Sequence, residues 1–442
     1  MSKRVLILTY YWPPSGGSGV QRWLKTVKYI RSYGWEPVVY TSEGGEAPVI
    51  DDSLQKDVPE GIEVIKTPIW EPYSIYKKMI GQKKSERINT GFLTESARPK
   101  LAEKISVWIR GNFFIPDARC YWIKPSVKYL TAYLQKNPVD AIVSTGPPHS
   151  MHLIALGLKQ KLDIPWLADF RDPWTNIDFY DQLMLSKRAD RKHRRLERAV
   201  LLTANKVVTV SWSWAEDFKK IANRPVEVVT NGFDEDDFKG EIPELYKGFL
   251  FHHIGAMNKD RNPHIFWKVL AELCGKISGF KDHLKIKLTG KNDISVLNSI
   301  RAHGLEDNTE YIDHITHREV VASLRKSPML LLPLNDTPNI MGIIPGKLFE
   351  YLAARRPIFA IGNIGGDTAK IIHEVKAGIM VDFKNEDATR SAILKFYEQY
   401  KADNLKLESE LLIDKYSRKN CCKQLAGLLD TISKTSSLSG VT

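Results

Sequence analysis

Short aliphatic runs alternate with helix-length amphipathic stretches along the chain, and this alternation restricts the fold more than any other feature. Residues 4–10 (RVLILTY) read as a buried strand, and the breaker cluster YWPPSGGSG follows it. Val20, Trp23, Leu24, Val27 and Ile30 then recur at helical spacing, and Gly34 closes that helix. Residues 37–40 form the next strand. Strand, helix and strand in this order predict a β-α-β unit, the start of a doubly wound sheet. The pattern goes on with strands at 139–145, 164–169, 206–211 and 226–230 and a helix at about 149–162. A second series starts near 248. Its strands fall at 284–290, 309–315, 329–334 and 357–362 after the first, and helices lie between them.

The expected fold class is therefore α/β, with two Rossmann-like domains, and a length of 442 residues fits two or three domains. We place an N-terminal domain at 1–225, a C-terminal domain at 226–415, and a final helix with its tail at 416–442. That last helix carries Cys421, Cys422, Leu425, Leu428, Leu429 and Ile432 on one face, which needs a surface to cover. No apolar run approaches the ~18 residues of a membrane span. The N-terminal apolar run is too short for a signal peptide. Four cysteines show neither metal-ligand nor redox spacing, so a reducing, cytoplasmic location is expected.

The formal charge of +12 is uneven. Residues 1–220 hold 34 Lys/Arg against 23 Asp/Glu, while the second half is nearly balanced. The first half thus calls for an anionic partner: phosphate groups, acidic lipid or nucleic acid. Two segments interrupt the alternation. Residues 70–120 read as a helical insertion, where Leu101, Ile105, Trp108 and Ile109 make one apolar face beside Lys100, Lys104 and Arg110. That helix either packs on its own domain or lies at a membrane surface. Residues 187–198 (KRADRKHRRLER) form a basic helix, either a solvated face or one that touches headgroups or phosphates.

Several constellations could carry chemistry. In the loop at 15–19, Gly17 and Gly19 lead into a helix N-terminus, where free amides favour an anion. The dinucleotide fingerprint is incomplete, since Arg22 stands where its third Gly would be. A tight turn without a ligand is the other reading. In IIPGKLFEYLAARRPIFAIG (343–362), Pro345, Gly346 and Lys347 open a helix and Glu350 lies one turn in, placed to hold a diol such as a ribose. Gly255 ends a strand with Arg261 six residues on, and Gly290 ends another with Lys291 next to it. Ligands of such sheets bind at the carboxyl ends of strands, so these cations sit where a diphosphate would be. DFRDPW (169–174) also follows a strand. Its Arg171 and Asp172 either hold an acceptor or form an internal salt bridge that fixes the loop. The acidic run at 234–237 reads as a helix-starting loop rather than a metal site.

In their succession and spacing these segments resemble glycosyltransferase family 4, over almost the whole chain. The resemblance rests on SGGSGVQR, DFRDPW, the basic helix with the strand after it, TNGFD and the PGKLFEYLA block. It implies the GT-B fold, with two Rossmann-like domains facing across a cleft and the last helix crossing back to the first domain. It also implies a nucleotide-diphosphate sugar held by the second domain, an acceptor held by the first, and retention of anomeric configuration. Glu350 matches the second Glu of the family's Glu-x7-Glu motif, which binds the donor ribose. Arg261 stands where the family has a diphosphate-binding Lys. The loop 313–317, with Ile315, falls where backbone groups hold the base, and His149 lies near the place of an active-site histidine.

The departures are Gly342, where the first Glu of that motif would be, and Ala256, where an Arg follows the strand-end Gly. Lys259 or Lys291 is expected to replace the missing cation, and the amides of 342–344, Gly342 and Ile344 included, to bind sugar hydroxyls. Charge building on a leaving diphosphate needs cations and helix amides. We therefore expect no cofactor and no metal. The expected partners are a nucleotide-diphosphate sugar, a glycan or lipid-linked acceptor of cell-surface polysaccharide synthesis, and an acidic membrane surface contacted from the cytoplasm. The rival readings are a catalytically silent GT-B subunit, a sugar-nucleotide epimerase, and a basic nucleic-acid-binding protein. Nucleic acid is not an expected partner, because no nucleic-acid motif is present.

Overall fold

The computed structural model describes residues 2–47, 49–71, 101–240, 243–313, 315–407 and 412–438. Most of the expected insertion, 72–100, lies outside the described residues. The chain divides into two compact units: Met1–Thr230 with Lys419–Thr442, and Asn231–Arg418.

The first unit is built on a seven-stranded sheet. Its strands are β1 (Lys3–Leu8), β2 (Trp35–Glu43), β3 (Glu63–Pro68), β4 (Ala141–Gly146), β5 (Trp166–Phe170), β6 (Lys206–Thr209) and β7 (Glu227–Val228). Their order is β3-β2-β1-β4-β5-β6-β7, and every pair is parallel. The short β7 pairs with β6, so the first unit runs past residue 225 to Thr230. The strand order reverses between β1 and β4, where the register sets Leu8 beside Ser144. The loops leaving these two strands therefore bound a crevice at their carboxyl ends.

Helix Ser18–Ile30 forms because Val20, Trp23, Leu24, Val27 and Ile30 make one stripe, all buried. Gly34, at φ 80°, ends the short turn that follows, a conformation glycine adopts without strain. Helix Arg418–Leu438 packs in the same core, burying Cys421, Cys422, Leu425, Leu429 and Ile432 with Trp23 and Val27. Each such side chain contributes roughly 1.5–3 kcal/mol when fully buried. The adjacent cysteines are packing residues, and both are free thiols.

Helix Leu101–Phe113 departs from expectation. Ile105 and Trp108 are exposed, at 45% and 43%, and Val107 is buried instead. The inward stripe is Val107, Arg110, Gly111 and, just past the helix, Phe114, at the same helical period but rotated. Gly111 selects that stripe: a Cβ there would stand 2.8 Å from the Leu183 carbonyl oxygen, so only glycine allows this approach.

The second unit holds a six-stranded parallel sheet of β8 (Phe249–Ile254), β9 (Leu284–Thr289), β10 (Thr309–Ile312), β11 (Leu330–Pro333), β12 (Ile358–Ile361) and β13 (Gly378–Val381). Its order is β10-β9-β8-β11-β12-β13, with the reversal between β8 and β11. Phe251, Phe266, Trp267, Phe359 and Phe396 fill its core. Several elements have no counterpart in the sequence reading, among them β3, β13 and helices Ile123–Lys136 and Glu386–Lys401.

Candidate active site

In the first unit the crevice is organised by a buried ion pair. Asp169, one residue before the end of β5, has no exposure. It accepts hydrogen bonds from Arg22 (Nε 3.0 Å, Nη2 2.9 Å), Trp23 Nε1 (2.6 Å) and Thr145 Oγ1 (2.9 Å). Burial alone would raise its carboxyl pKa, but Arg22 and the three donors hold it below the usual range. Arg22 also donates to the Thr230 carbonyl (3.0 Å). This explains the missing third glycine: the position carries the cation that neutralises Asp169.

Arg171 donates to the carbonyls of Gly19 (2.7 Å) and Pro147 (2.8 Å), and its Nε lies 3.6 Å from Asp172. It thus fastens the loop after β1 to the loop after β4, with both Nη groups engaged. This is the loop-fixing one of the two readings that the sequence left open for Arg171. A Cβ at Gly19 would stand 3.2 Å from Tyr11 and 3.4 Å from the Arg171 guanidinium, so a larger residue needs these side chains to give by a few tenths of an ångström. Asp172 is half-buried, and burial raises its carboxyl pKa despite Arg171. His149 caps helix Ser150–Leu162 and stacks on Trp174 at 4.7 Å with rings 4° from parallel. Burial pushes its imidazole pKa well down, so the ring is neutral. Its Nδ1 is buried without a partner among the described residues. These groups border a cavity of about 490 Å³, with Gly17, Gly19, His149, Arg171 and Asp172 in its wall.

The site in the second unit lies at the reversal between β8 and β11. Gly255 leaves β8 at φ 113°, a backbone that favours glycine. A Cβ there would meet Lys347 Cε at 2.3 Å and Nζ at 2.4 Å. Gly290 is equally constrained, since its Cβ would stand 2.9 Å from Gly255. Gly255 therefore clears the space that the Lys347 amine enters, and Gly290 allows the close approach of the two strand-end backbones. Lys347 Nζ lies 3.5 Å from the Ala256 carbonyl oxygen, and Arg261 Nη1 donates to the same oxygen at 2.8 Å. Arg261 Nε is buried without a partner among the described residues. Burial lowers the Arg261 pKa. Burial and Arg261 together bring the Lys347 amine to about 7, against the attraction of Glu350. Pro345 caps helix Gly346–Ala353 with no side-chain cap. The first amides of this helix thus have no side-chain acceptor from the cap residue. Glu350 sits half-buried one turn in.

The structure changes which residues fill the expected roles. Lys259 and Lys291 are exposed, and it is Lys347 that joins Arg261. A residue at the second helical position points its side chain back toward the helix start, which aims Lys347 at the end of β8. The amide of Gly342 donates to Asn339 (3.4 Å) and that of residue 343 to Ile340 (3.1 Å). The Gly342 amide is thus engaged in a local turn rather than held out for sugar hydroxyls, and the Ile344 side chain is buried. Ile315 follows β10 in the loop expected to hold the base, and His314 of that loop lies outside the described residues.

Two family models match this chain. Residues 84–237 match Glycosyltransferase Family 4, and residues 248–399 match Glycosyl transferases group 1. The chain is a glycosyltransferase of the family 4 and group 1 type. Solved structures similar to this glycosyltransferase share its architecture at low identity. A glycosyltransferase from Rickettsia africae ESF-5 is 14% identical, with 98% of each chain covered and a TM-score of 0.61. Sucrose-phosphate synthase from Thermosynechococcus elongatus is 13% identical over 98% of this chain and 100% of its own, at 0.59. HepE from Anabaena, in complex with UDP and glucose, is 13% identical over 97% and 100%, at 0.58. These likenesses carry the GT-B fold. No curated protein sequence matches the chain.

Proposed function

We propose that this glycosyltransferase moves a hexose from a nucleotide-diphosphate sugar to a glycan or lipid-linked acceptor of cell-surface polysaccharide synthesis, with retention and without a metal. One observation carries the reading. Arg261 and Lys347, two half-buried cations, converge on one carbonyl oxygen at an uncapped helix N-terminus. Like charges so placed repel each other, and a bound anion offsets that repulsion by attracting both. A leaving diphosphate gains negative charge as its bond to the sugar breaks, so fixed cations favour the transition state over the ground state. Glu350, one turn in, is suited to the ribose hydroxyls.

The acceptor belongs to the first unit. Its cavity is bordered by the glycine loop, Asp172 and the neutral His149. Contact with an acidic membrane from the cytoplasm is supported by Ile105, Trp108 and Phe113, which are exposed on one helix. The basic helix Lys187–Thr203 packs beside it, with Ser186 N donating to Asn112 Oδ1 at 2.8 Å. Among the described residues no helix is long and apolar enough to cross a membrane.

The test is a calorimetric screen against UDP-, GDP- and ADP-sugars, with Arg261→Ala and Glu350→Ala as controls. Binding of one nucleotide class, weakened at least tenfold by both changes, is the expected result. A folded chain that binds none of them refutes the donor site. Gly342, at the place of the first motif Glu, favours a silent subunit as the second reading. That reading predicts donor binding with no sugar released or transferred.

A further inference from the structure

The cavity of the first unit has walls that do not suit a free glycan. Phe114, Trp174, Ile177, Phe179 and Leu183 give it a mainly apolar lining. Most polar groups in the wall are already engaged inside the protein. Arg171 bonds two carbonyls. Arg119 pairs with Glu71 at 2.8 Å, and Asp117 accepts from Ser150 N (2.9 Å) and Oγ (2.8 Å). His193 Nδ1 accepts from Trp174 Nε1 (3.0 Å), and Tyr180 donates to Asp190 (3.0 Å). A polyhydroxylated ligand buried here would leave hydroxyls without partners, which is costly. The polar capacity that remains is local: Asp172, the unpartnered Nδ1 of His149 and the glycine loop, close to Arg171, with Arg110 on the wall formed by its helix.

We propose that this cavity takes the hydrocarbon anchor of the acceptor, so that the acceptor is a sugar carried on a lipid rather than a free glycan. The inference rests on the transferase reading and narrows it. The sugar hydroxyl that receives the transferred group lies at the glycine loop and Asp172. The chain runs past Phe114, Ile177 and Leu183. Continuity with the surface supports this assignment. Helix Leu101–Phe113 lines the cavity with Arg110 and Gly111, while Ile105, Trp108 and Phe113 of the same helix are exposed. An apolar chain leaving the cavity along this helix therefore meets an apolar flank. Arg110 lines the mouth of that path and suits an anionic linkage between sugar and chain.

The test uses the full chain and n-hexyl, n-octyl and n-decyl β-glucosides below their micelle concentrations. Calorimetry should give one saturable site and an affinity that rises about fourfold per methylene. Ile177→Asp and Leu183→Asp should each weaken decyl binding at least tenfold, with nucleotide-sugar binding kept. Trp108→Ser, on the exposed flank, should leave decyl binding in the cavity within about twofold. Affinity independent of chain length in the unaltered protein overturns the proposal, and that series needs no variant. Folded Asp variants that bind decyl glucoside as before also overturn it. Nucleotide-sugar binding measured in the same samples separates the two readings. If it persists without chain-length dependence, only the lipid anchor fails. If it is absent while decyl binding holds, the acceptor role fails with the transferase reading.

Discussion

Lys347 makes donor binding depend on pH in a way its removal should abolish. Its amine titrates at about 7, lowered first by burial and then by Arg261. Four other titratable or charged groups bear on this region: Arg261, Glu350, His253 and Tyr351. Burial pushes His253 well down and Tyr351 up, so neither titrates near neutrality. A diphosphate binds the ammonium form and holds its proton. At pH 6 the free amine is about nine-tenths protonated, and at pH 8 about one-tenth. Affinity for a nucleotide sugar should therefore fall about tenfold from pH 6 to pH 8.

Lys347→Met should flatten that slope and weaken binding at pH 6 by roughly 10- to 150-fold, the worth of a charged hydrogen bond. Lys347→Arg should flatten the slope and keep the affinity within about tenfold. A second readout follows from linkage. Because the folded amine lies below its ordinary value of 10.5, the unfolded chain binds more protons between about pH 7 and 10.5. The contribution of this group to stability therefore rises with pH across that window. Removing the amine should stabilise the free protein at pH 7 by at most about 4 kcal/mol. Calorimetric titrations from pH 6 to 9 and thermal melts read both effects. An unchanged pH slope in Lys347→Met would refute the assignment.

Other outcomes follow from the same geometry. Asp169→Ala leaves Arg22 buried without its carboxylate, so it should destabilise the chain by roughly 3–5 kcal/mol in denaturant melts. Gly255→Ala places a methyl group where Lys347 Nζ lies, and donor affinity should fall at least tenfold while the circular dichroism spectrum is kept. Ile105→Ser with Trp108→Ser should reduce sedimentation with anionic vesicles at least fivefold; unchanged sedimentation ends the membrane reading. Transfer activity should survive a chelator within about twofold.

The alternation of strand and helix is legible because parallel sheets buried on both faces need near-continuous apolar strands. β3 is not legible because EVIKTP, at the sheet edge, buries only Ile65 and carries charges. The helix at 101–113 leaves two readings open for a different reason. Its most apolar stripe is exposed, and a glycine contact with Leu183 fixes which side faces in. Periodicity reports that a face exists, not what it meets. The Arg22–Asp169 pair joins residues 147 apart, which no local pattern reveals. From the sequence Lys347 reads only as a residue that opens a helix. Its approach to Gly255, which no local pattern encodes, distinguishes it from the exposed Lys259 and Lys291.

The route of the chain through the two units has a consequence for its synthesis. The chain enters the second unit at Asn231 and leaves at Arg418. The two ends are tied there, with Phe233 N donating to Tyr416 O (3.1 Å) and Arg418 N to Phe233 O (2.7 Å). The second unit is thus one uninterrupted segment, able to close as soon as it clears the ribosome. The first unit cannot do so. Its Trp23–Val27 face waits for Cys422, Leu425 and Leu429, which emerge only after the whole second unit. At 5–20 residues per second that is a delay of roughly 10–40 s. During it the half made first is the half completed last, with its apolar side open to any chaperone or to a neighbouring nascent chain.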